Sequence, residues 1–394
     1  MRARKWILRI VVGLLAVCIV LAGVLALVNR TLPTASTVTE RLADEQKALL
    51  AELFHVRREL GDATWPGWGA KELPFVVYNE AYAFLLGYEG QPPDGWLKVP
   101  QDEPHGGPWE PVPGDTFEGQ PYYRQPLPAS GETPQAFTVK VGERWAGSLQ
   151  TREWAEINLV QMFREQVPGF VQPIFPYTLL SDLFLRGSDG YVSLLAHESF
   201  HAYQGTVAPQ RLAAAETNVG RAEAGYPWTD TVFVEAWQAE LDLLAEALRT
   251  ETEVESRELA QQFLAQRTAR REAARLAPTL VDYERHREWL EGLARYVELE
   301  IWQQAALADT YEPLTAVQDI PDFDAYGTFE RRWSQEIDQI GRMADDEGDG
   351  RFYYSGMAQA VLLDRLAPEW KAKALEEGVF LEELLAEAVA IPVD

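Results

Sequence analysis

The chain has 394 residues, 47% hydrophobic and 24% charged, which is enough for one large or two ordinary domains and too apolar for a disordered chain. Sixty-one acidic residues stand against 35 basic ones, and the resulting formal charge of -26 repels phosphates and speaks against nucleic acid as a partner. The single cysteine, Cys18, excludes an intrachain disulfide and a thiolate cluster, so any metal site must be built from Asp, Glu and the five histidines.

Arg2, Arg4, Lys5 and Arg9 precede an uninterrupted apolar run over residues 10–28. As a helix this run spans roughly 28 Å, close to the hydrocarbon thickness of a bilayer. The excess of basic residues before it predicts a cytoplasmic segment 1–9, a transmembrane anchor 10–28 and an extracytoplasmic remainder. Cleavage near Thr34-Ala35-Ser36, giving a secreted form, is the alternative. Cys18 lies within the apolar run and reads as an ordinary membrane-facing thiol. Five basic and no acidic residues lie in positions 1–30, so the rest of the chain carries 30 basic against 61 acidic residues, or -31.

Thr37 and Glu40 have the spacing of a capping box, which predicts a juxtamembrane helix over residues 36–60. Residues 65–150 form a Pro/Gly-rich region suited to short strands and long turns, with strands predicted at residues 73–78 and 136–141. From 151 to 394 the pattern turns helical, with helices predicted over 151–166, 189–204, 231–249, 252–276, 280–308, 323–343, 352–366, 368–377 and 381–390. The predicted fold class is therefore α+β, with a small sheet-containing amino-terminal part packed on a mainly helical body and preceded by one transmembrane helix. The series Arg267, Arg270, Arg271 and Arg275 among glutamates reads as an exposed, salt-bridged helix face.

The chemistry is carried by His197-Glu198-Ser199-Phe200-His201, an H-E-x-x-H on a predicted helix. One turn separates the two imidazoles, so both can reach the same zinc ion, and Glu198 is placed to take a proton from water rather than to ligate. The bland alternative is a helix whose histidines merely hydrogen-bond in the core. Hiding two neutral histidines and a glutamate beside Val192, Leu195 and Phe200 without a metal is costly, which counts against it.

Trp289-Leu290-Glu291-Gly292-Leu293-Ala294-Arg295-Tyr296-Val297-Glu298 resembles the W-L-x-E-G-x-A-x-x-x-E helix of gluzincin metallopeptidases, in particular the aminopeptidase-N-like family. The resemblance implies a zincin-like body, one zinc ion, a peptide or protein substrate and Glu291 as the third ligand. Glu291 and Glu298, seven apart, share a helix face, and Gly292 allows another backbone to come close. The departure is spacing: 89 residues separate His201 from Glu291, far more than in the family, and an inserted helical pair over about 231–276 accounts for it. Glu223, Glu235 and Glu240 are the other candidates for third ligand, and a solvated acidic face is the plain reading of Glu291.

Tyr353-Tyr354-Ser355-Gly356 is similar to the Y-x-K-G helix start of the same family, which implies that Tyr353 donates to the oxyanion. Ser355 stands in place of the family's Lys, and Tyr354 is the alternative hydroxyl, as is a purely structural aromatic pair. No G-x-M-E-N segment occurs in residues 65–188, so the resemblance reaches the catalytic class and not exopeptidase specificity. The sequence thus predicts a membrane-anchored zinc metallopeptidase. Two other readings stay open: a non-catalytic zinc-binding surface protein, and a zinc hydrolase of a non-peptide amide or ester.

Overall fold

The computed structural model describes residues 2–99, 104–135, 139–217 and 219–391. Helix α1 (Arg2–Thr31) contains the stretch Val12–Thr31, with a mean hydropathy of 2.7 and no burial against the rest of the chain. It is long and apolar enough to cross a membrane.

An extended strap then replaces the expected start of the next helix. The Thr37 hydroxyl donates to Glu153 at 2.6 Å and Glu40 pairs with Arg124 at 3.6 Å, so both halves of the capping box are committed to distant partners. Helix α2 (Asp44–Thr64) begins later than the predicted residue 36, with Asp44 and Glu45 stabilising its first turn.

Eight strands follow: β1 (Phe75–Tyr78), β2 (Tyr82–Leu86), β3 (Trp96–Lys98), β4 (Pro104–His105), β5 (Glu110–Pro111), β6 (Tyr123–Pro126), β7 (Val139–Val141) and β8 (Arg144–Gln150). Their order is β4-β3-β7-β8-β1-β2-β6-β5, with β1 and β8 parallel and every other pair antiparallel. Residues 136–138, the first half of the strand predicted at 136–141, lie outside the described residues. Strands β1 and β2 are apolar on both faces because the sheet serves two cores. Phe75, Val77, Phe84 and Leu86 join the main core, while Val76, Tyr78, Ala83 and Leu85 join a small one with Trp96 and Trp109.

The helical body comprises α3 (Arg152–Gln166), a 3-10 turn (Gln172–Ile174), α4 (Tyr177–Leu185), α5 (Gly187–Val207), α6 (Pro209–Thr217), α7 (Val219–Gly225), α8 (Thr231–Arg249) and α9 (Glu253–Ala273). After these come α10 (Pro278–Arg287), a π-turn (Glu288–Gly292) continuing into α11 (Leu293–Leu307), then α12 (Thr315–Gln318), α13 (Phe329–Ile340), α14 (Gly350–Leu366), α15 (Lys371–Ala374) and α16 (Leu381–Ala390). Most predicted helices appear within a few residues. Those predicted at 323–343 and 368–377 are shorter, and α4, α6, α7 and α12 lie outside the predicted helices.

Helix α5 is buried on nearly every side, between β8, α2 and α11. The sheet reaches it through Gly147 of β8, where a Cβ would stand 2.8 Å from the carbonyl oxygen of Glu198. On the other side Trp65 meets Phe200 and Trp370 edge-on at 5.0 and 5.3 Å between ring centroids.

The arginine series on and just after α9 is not the exposed face that its spacing among glutamates predicts. Arg267 and Arg270 are both 2% exposed, and of the four only Arg275 faces solvent freely. Arg267 forks onto Glu288 at 2.5 and 2.8 Å and reaches Glu240 and Glu382, and Arg270 joins Glu240 to Glu284. The acids come from α8, α10, the π-turn and α16, so the network ties the α8–α9 hairpin to the turn that carries Glu291.

Candidate metal centre

His197 and His201 project from adjacent turns of α5, and their Nε2 atoms lie 3.1 Å apart. Glu291, on the π-turn, places its Oε2 3.5 Å from His197 Nε2 and 3.3 Å from His201 Nε2. All three side chains are buried, at 4–5% exposure. Among the described residues this is the group of potential metal ligands that converges. The other third-ligand candidates are elsewhere engaged or placed: Glu240 is held between Arg267 and Arg270, Glu235 is exposed, and Glu223 is half-buried outside the group.

The wide turn Glu288–Gly292 within the otherwise continuous helix from Pro278 to Leu307 is a one-turn π-bulge, a device that re-aims a side chain. Trp289 anchors it by donating to the Ala374 carbonyl at 3.0 Å, with Arg211 stacked 4.3 Å above its ring. Gln204 then couples the turn to α5. Its Nε2 donates to the Trp289 and Leu290 carbonyls, while its Oε1 lies 2.9 Å from His201 Nδ1. With its Nε2 committed to the two carbonyls, Gln204 presents Oε1 as an acceptor to His201 Nδ1, which orients the ring with Nε2 toward Glu291.

Glu298 holds the other imidazole, with Oε2 3.4 Å from His197 Nδ1. Glu291 and Glu298 thus contact opposite nitrogens of one ring, an arrangement that the shared helix face expected from their seven-residue spacing permits. Arg295 and Arg332 both bind Glu298, and Arg287 donates to Glu291 Oε1 at 2.9 Å while also binding Asp349 and Glu216. No sequence motif assigns a role to these supporting residues. Gln204, one turn beyond His201, and Arg287, one turn before Glu291, carried a signal in their spacing. The partners from α13 did not.

The electrostatics suit a cation. Burial by itself would depress His197, but Glu291 and Glu298 override it and raise its pKa to about 10. Glu291 and Glu298 are held well below the usual carboxylate range despite their burial, Glu291 by His201 and Arg287 and Glu298 by Arg295 and His197. Glu198, 7% exposed, is instead pushed up to about 7 by burial, against the pull of the two histidines. Glu198 Oε2 is buried and accepts no hydrogen bond, and Glu291 Oε2 faces only the two imidazole nitrogens at 3.3 and 3.5 Å. A buried carboxylate oxygen left unpaired, as in Glu198, is expensive unless a cation or water meets it.

The size of the triangle also fits. Three donors on a tetrahedron around zinc, with bonds near 2.05 Å, stand about 3.3 Å apart, and the three sides here are 3.1, 3.3 and 3.5 Å. The donor set, two imidazoles and one carboxylate, matches the chemistry of a first-row divalent cation.

Tyr353 stacks on His197, with ring centroids 5.6 Å apart and planes 10° from parallel. Burial and the neighbouring Glu291 push its phenol well above the ordinary value, so it remains a neutral donor. Tyr354 points elsewhere, with its hydroxyl 3.4 Å from Arg295. Ser355 donates to Glu288 Oε1 at 2.5 Å, so it supports the π-turn rather than the metal group. His286 bonds the Asp282 carbonyl and packs against Phe380, away from the group. Compared with known protein families, with curated proteins and with solved structures, the chain matches none of them.

Proposed function

We propose that this chain is a membrane-anchored, extracytoplasmic zinc metallopeptidase that hydrolyses peptide bonds with a gluzincin-like ligand set of His197, His201 and Glu291. The observation that carries this reading is the buried triangle of two imidazole nitrogens and one carboxylate oxygen, together with the orphaned Oε2 of Glu198 on the same helix as the two histidines. A zinc ion there supplies Lewis acidity, polarising a carbonyl and acidifying water. Glu198, whose environment brings its pKa to about 7, is suited to take a proton from the attacking water and return it to the departing amine nitrogen. Tyr353 is suited to donate to oxygen that gains charge in the transition state. Glu298, Gln204 and Arg287 keep the three ligand side chains in register. The basic residues ahead of α1 favour a cytoplasmic amino terminus and an outward-facing body.

One observation favours a second reading. His197, Glu198, His201 and Glu291 are all 4–7% exposed, the environment of a metal held for structure or binding without turnover. The same site would also serve hydrolysis of a non-peptide amide or ester. The deciding experiment measures zinc stoichiometry and cleavage of a peptide library for the full chain in detergent, alongside Glu198→Gln. We expect one zinc per chain in both proteins and cleavage in the parent alone. Zinc without cleavage of any peptide selects the second reading, and a zinc-free protein purified without chelator removes both.

A further inference from the structure

Residues 166–185 contain a single charged residue, Asp182, in a chain that is 24% charged. They run from the end of α3 through α4 and leave large apolar side chains in solvent. Phe170 is 85% exposed, Leu179 67%, Phe184 58% and Ile174 42%. Rings tie the segment together, with Phe163 5.5 Å from Phe184 and 6.5 Å from Phe175, and Phe175 5.0 Å from Tyr177. A soluble surface seldom keeps so many large apolar groups in one short stretch without something to cover them.

The place of this segment in the fold identifies the cover. The side chain of Asn29, one residue past the end of the apolar run of α1, donates to the backbone carbonyls of Pro173 at 3.0 Å and Phe175 at 2.8 Å. Arg164 of α3 donates back to the Asn29 carbonyl at 3.2 Å. The segment is therefore fastened to the point where a membrane-spanning α1 leaves the hydrocarbon, at the level of the headgroups.

We propose that the 166–185 segment is a second membrane contact, lying in the lipid interface with Phe170, Ile174, Leu179 and Phe184 inserted beside the end of α1. Aromatic and aliphatic side chains at this depth bind by burying apolar area, and the anchor removes the entropic cost of bringing them to the bilayer. Because α4 ends at Leu185 and α5 begins at Gly187, this contact also sets where the metal group sits. His197 is ten residues into α5, about 15 Å along the helix from its start. The contact thus holds the centre close to the membrane and favours substrates whose accessible peptide bonds lie near the lipid surface. This rests on the reading of α1 as a membrane anchor.

The chain's one cysteine makes the test direct. In the full-length protein with Cys18→Ser, reconstituted into phosphatidylcholine vesicles, a small fluorophore is attached in turn at Val20→Cys, Phe170→Cys, Leu179→Cys, Phe184→Cys, Val232→Cys and Leu307→Cys. Each site is then read with lipids carrying a quencher just below the headgroup. We expect Val20, Phe170, Leu179 and Phe184 to lose roughly half their emission or more, and Val232 and Leu307 to change little. Quenching at Val20 without quenching at 170, 179 and 184 overturns the second contact while leaving the anchor intact. Equal quenching at Val232 and Leu307 overturns it as well. Absence of quenching at Val20 shows instead that α1 does not enter the bilayer, and the anchor reading fails.

Discussion

Gly292 and Gly356 meet backbone to backbone: a Cβ on Gly292 would stand 2.5 Å from the Cα of Gly356, and one on Gly356 would stand 2.5 Å from the carbonyl oxygen of Glu288. At this crossing the π-turn and α14 approach as closely as two helical segments can, which brings Glu291 and Tyr353 to the same imidazole. Neither obstacle is the mobile end of a side chain, so Gly292→Ala or Gly356→Ala has to push the helices apart. Each should cost about 1–3 kcal/mol of stability. Each should also weaken zinc binding by displacing Glu291 from the histidines. Gly220→Ala, in open space on α7, is the control. Thermal unfolding and chelator competition check both effects. Unchanged zinc affinity in a destabilised Gly292→Ala would show that the crossing does not position the ligand.

Glu298 should matter to the metal without touching it. Its carboxylate stands at the Nδ1 of His197 and is itself held by Arg295 and Arg332. Glu298→Gln keeps the shape but removes the charge that makes the imidazole a better donor. The expected loss of zinc affinity is on the order of 10- to 100-fold, read by competition with a chelator of known affinity. Comparing unfolding of the two metal-free proteins separates this effect from weaker pairing with the arginines.

The features legible in the sequence were those set by local spacing. H-E-x-x-H on an apolar helix stacks two imidazoles whatever surrounds them, and the seven-residue interval puts Glu291 and Glu298 on one side of α11 and its π-turn. The features misread were decided by partners far along the chain. Thr37 and Glu40 could have capped a helix, but Glu153 and Arg124 claim them. The α9 arginines had glutamates nearby in sequence, yet the acids that bury them come from residues 240, 284, 288 and 382. A π-turn has no residue signature of its own. The one beneath Glu291 exists because Trp289, Glu288 and Gly292 are each fixed by a different neighbour.

Buried carboxylates paired with arginines, Glu284 against α9 and Glu336 against Arg186 and Arg295, make stability depend on acid. Burial alone would raise Glu284, but Arg270, Arg271 and Arg267 hold it at about 2, and Arg295 and Arg186 do the same for Glu336. Both folded-state values lie below the unfolded value of about 4.5, so their contribution is complete above pH 4.5 and lost as pH falls toward 2. The shifts correspond to something on the order of 3 kcal/mol for each group at neutral pH. Denaturant unfolding of the full metal-free chain in detergent should give a steep decline between pH 4.5 and 2.5, after a rise from pH 7 to 5 as Glu198, raised to about 7 in the folded state, takes up its proton. Glu284→Gln should flatten part of that decline, and a slope identical to the parent's would remove Glu284 from the account.

The two adjacent tyrosines provide the sharpest separation of chemistry from structure. Tyr353 lies parallel to His197 with its hydroxyl beside Glu291, whereas Tyr354, turned about 100° around α14, is buried against Arg295 and Glu336. If a phenol stabilises the oxyanion, Tyr353→Phe removes a donor used only in the transition state. The expected effect is a fall in kcat of about 100- to 1000-fold with KM and zinc content unchanged. Tyr354→Phe keeps the ring that Arg295 packs on and loses one peripheral hydrogen bond, so it should cost about 1 kcal/mol of stability and leave kcat within a few-fold of the parent. Equal losses in the two variants would mean that the pair only packs the start of α14. A loss in Tyr354→Phe alone would move the oxyanion donor to the neighbouring residue and require α14 to turn in the working enzyme.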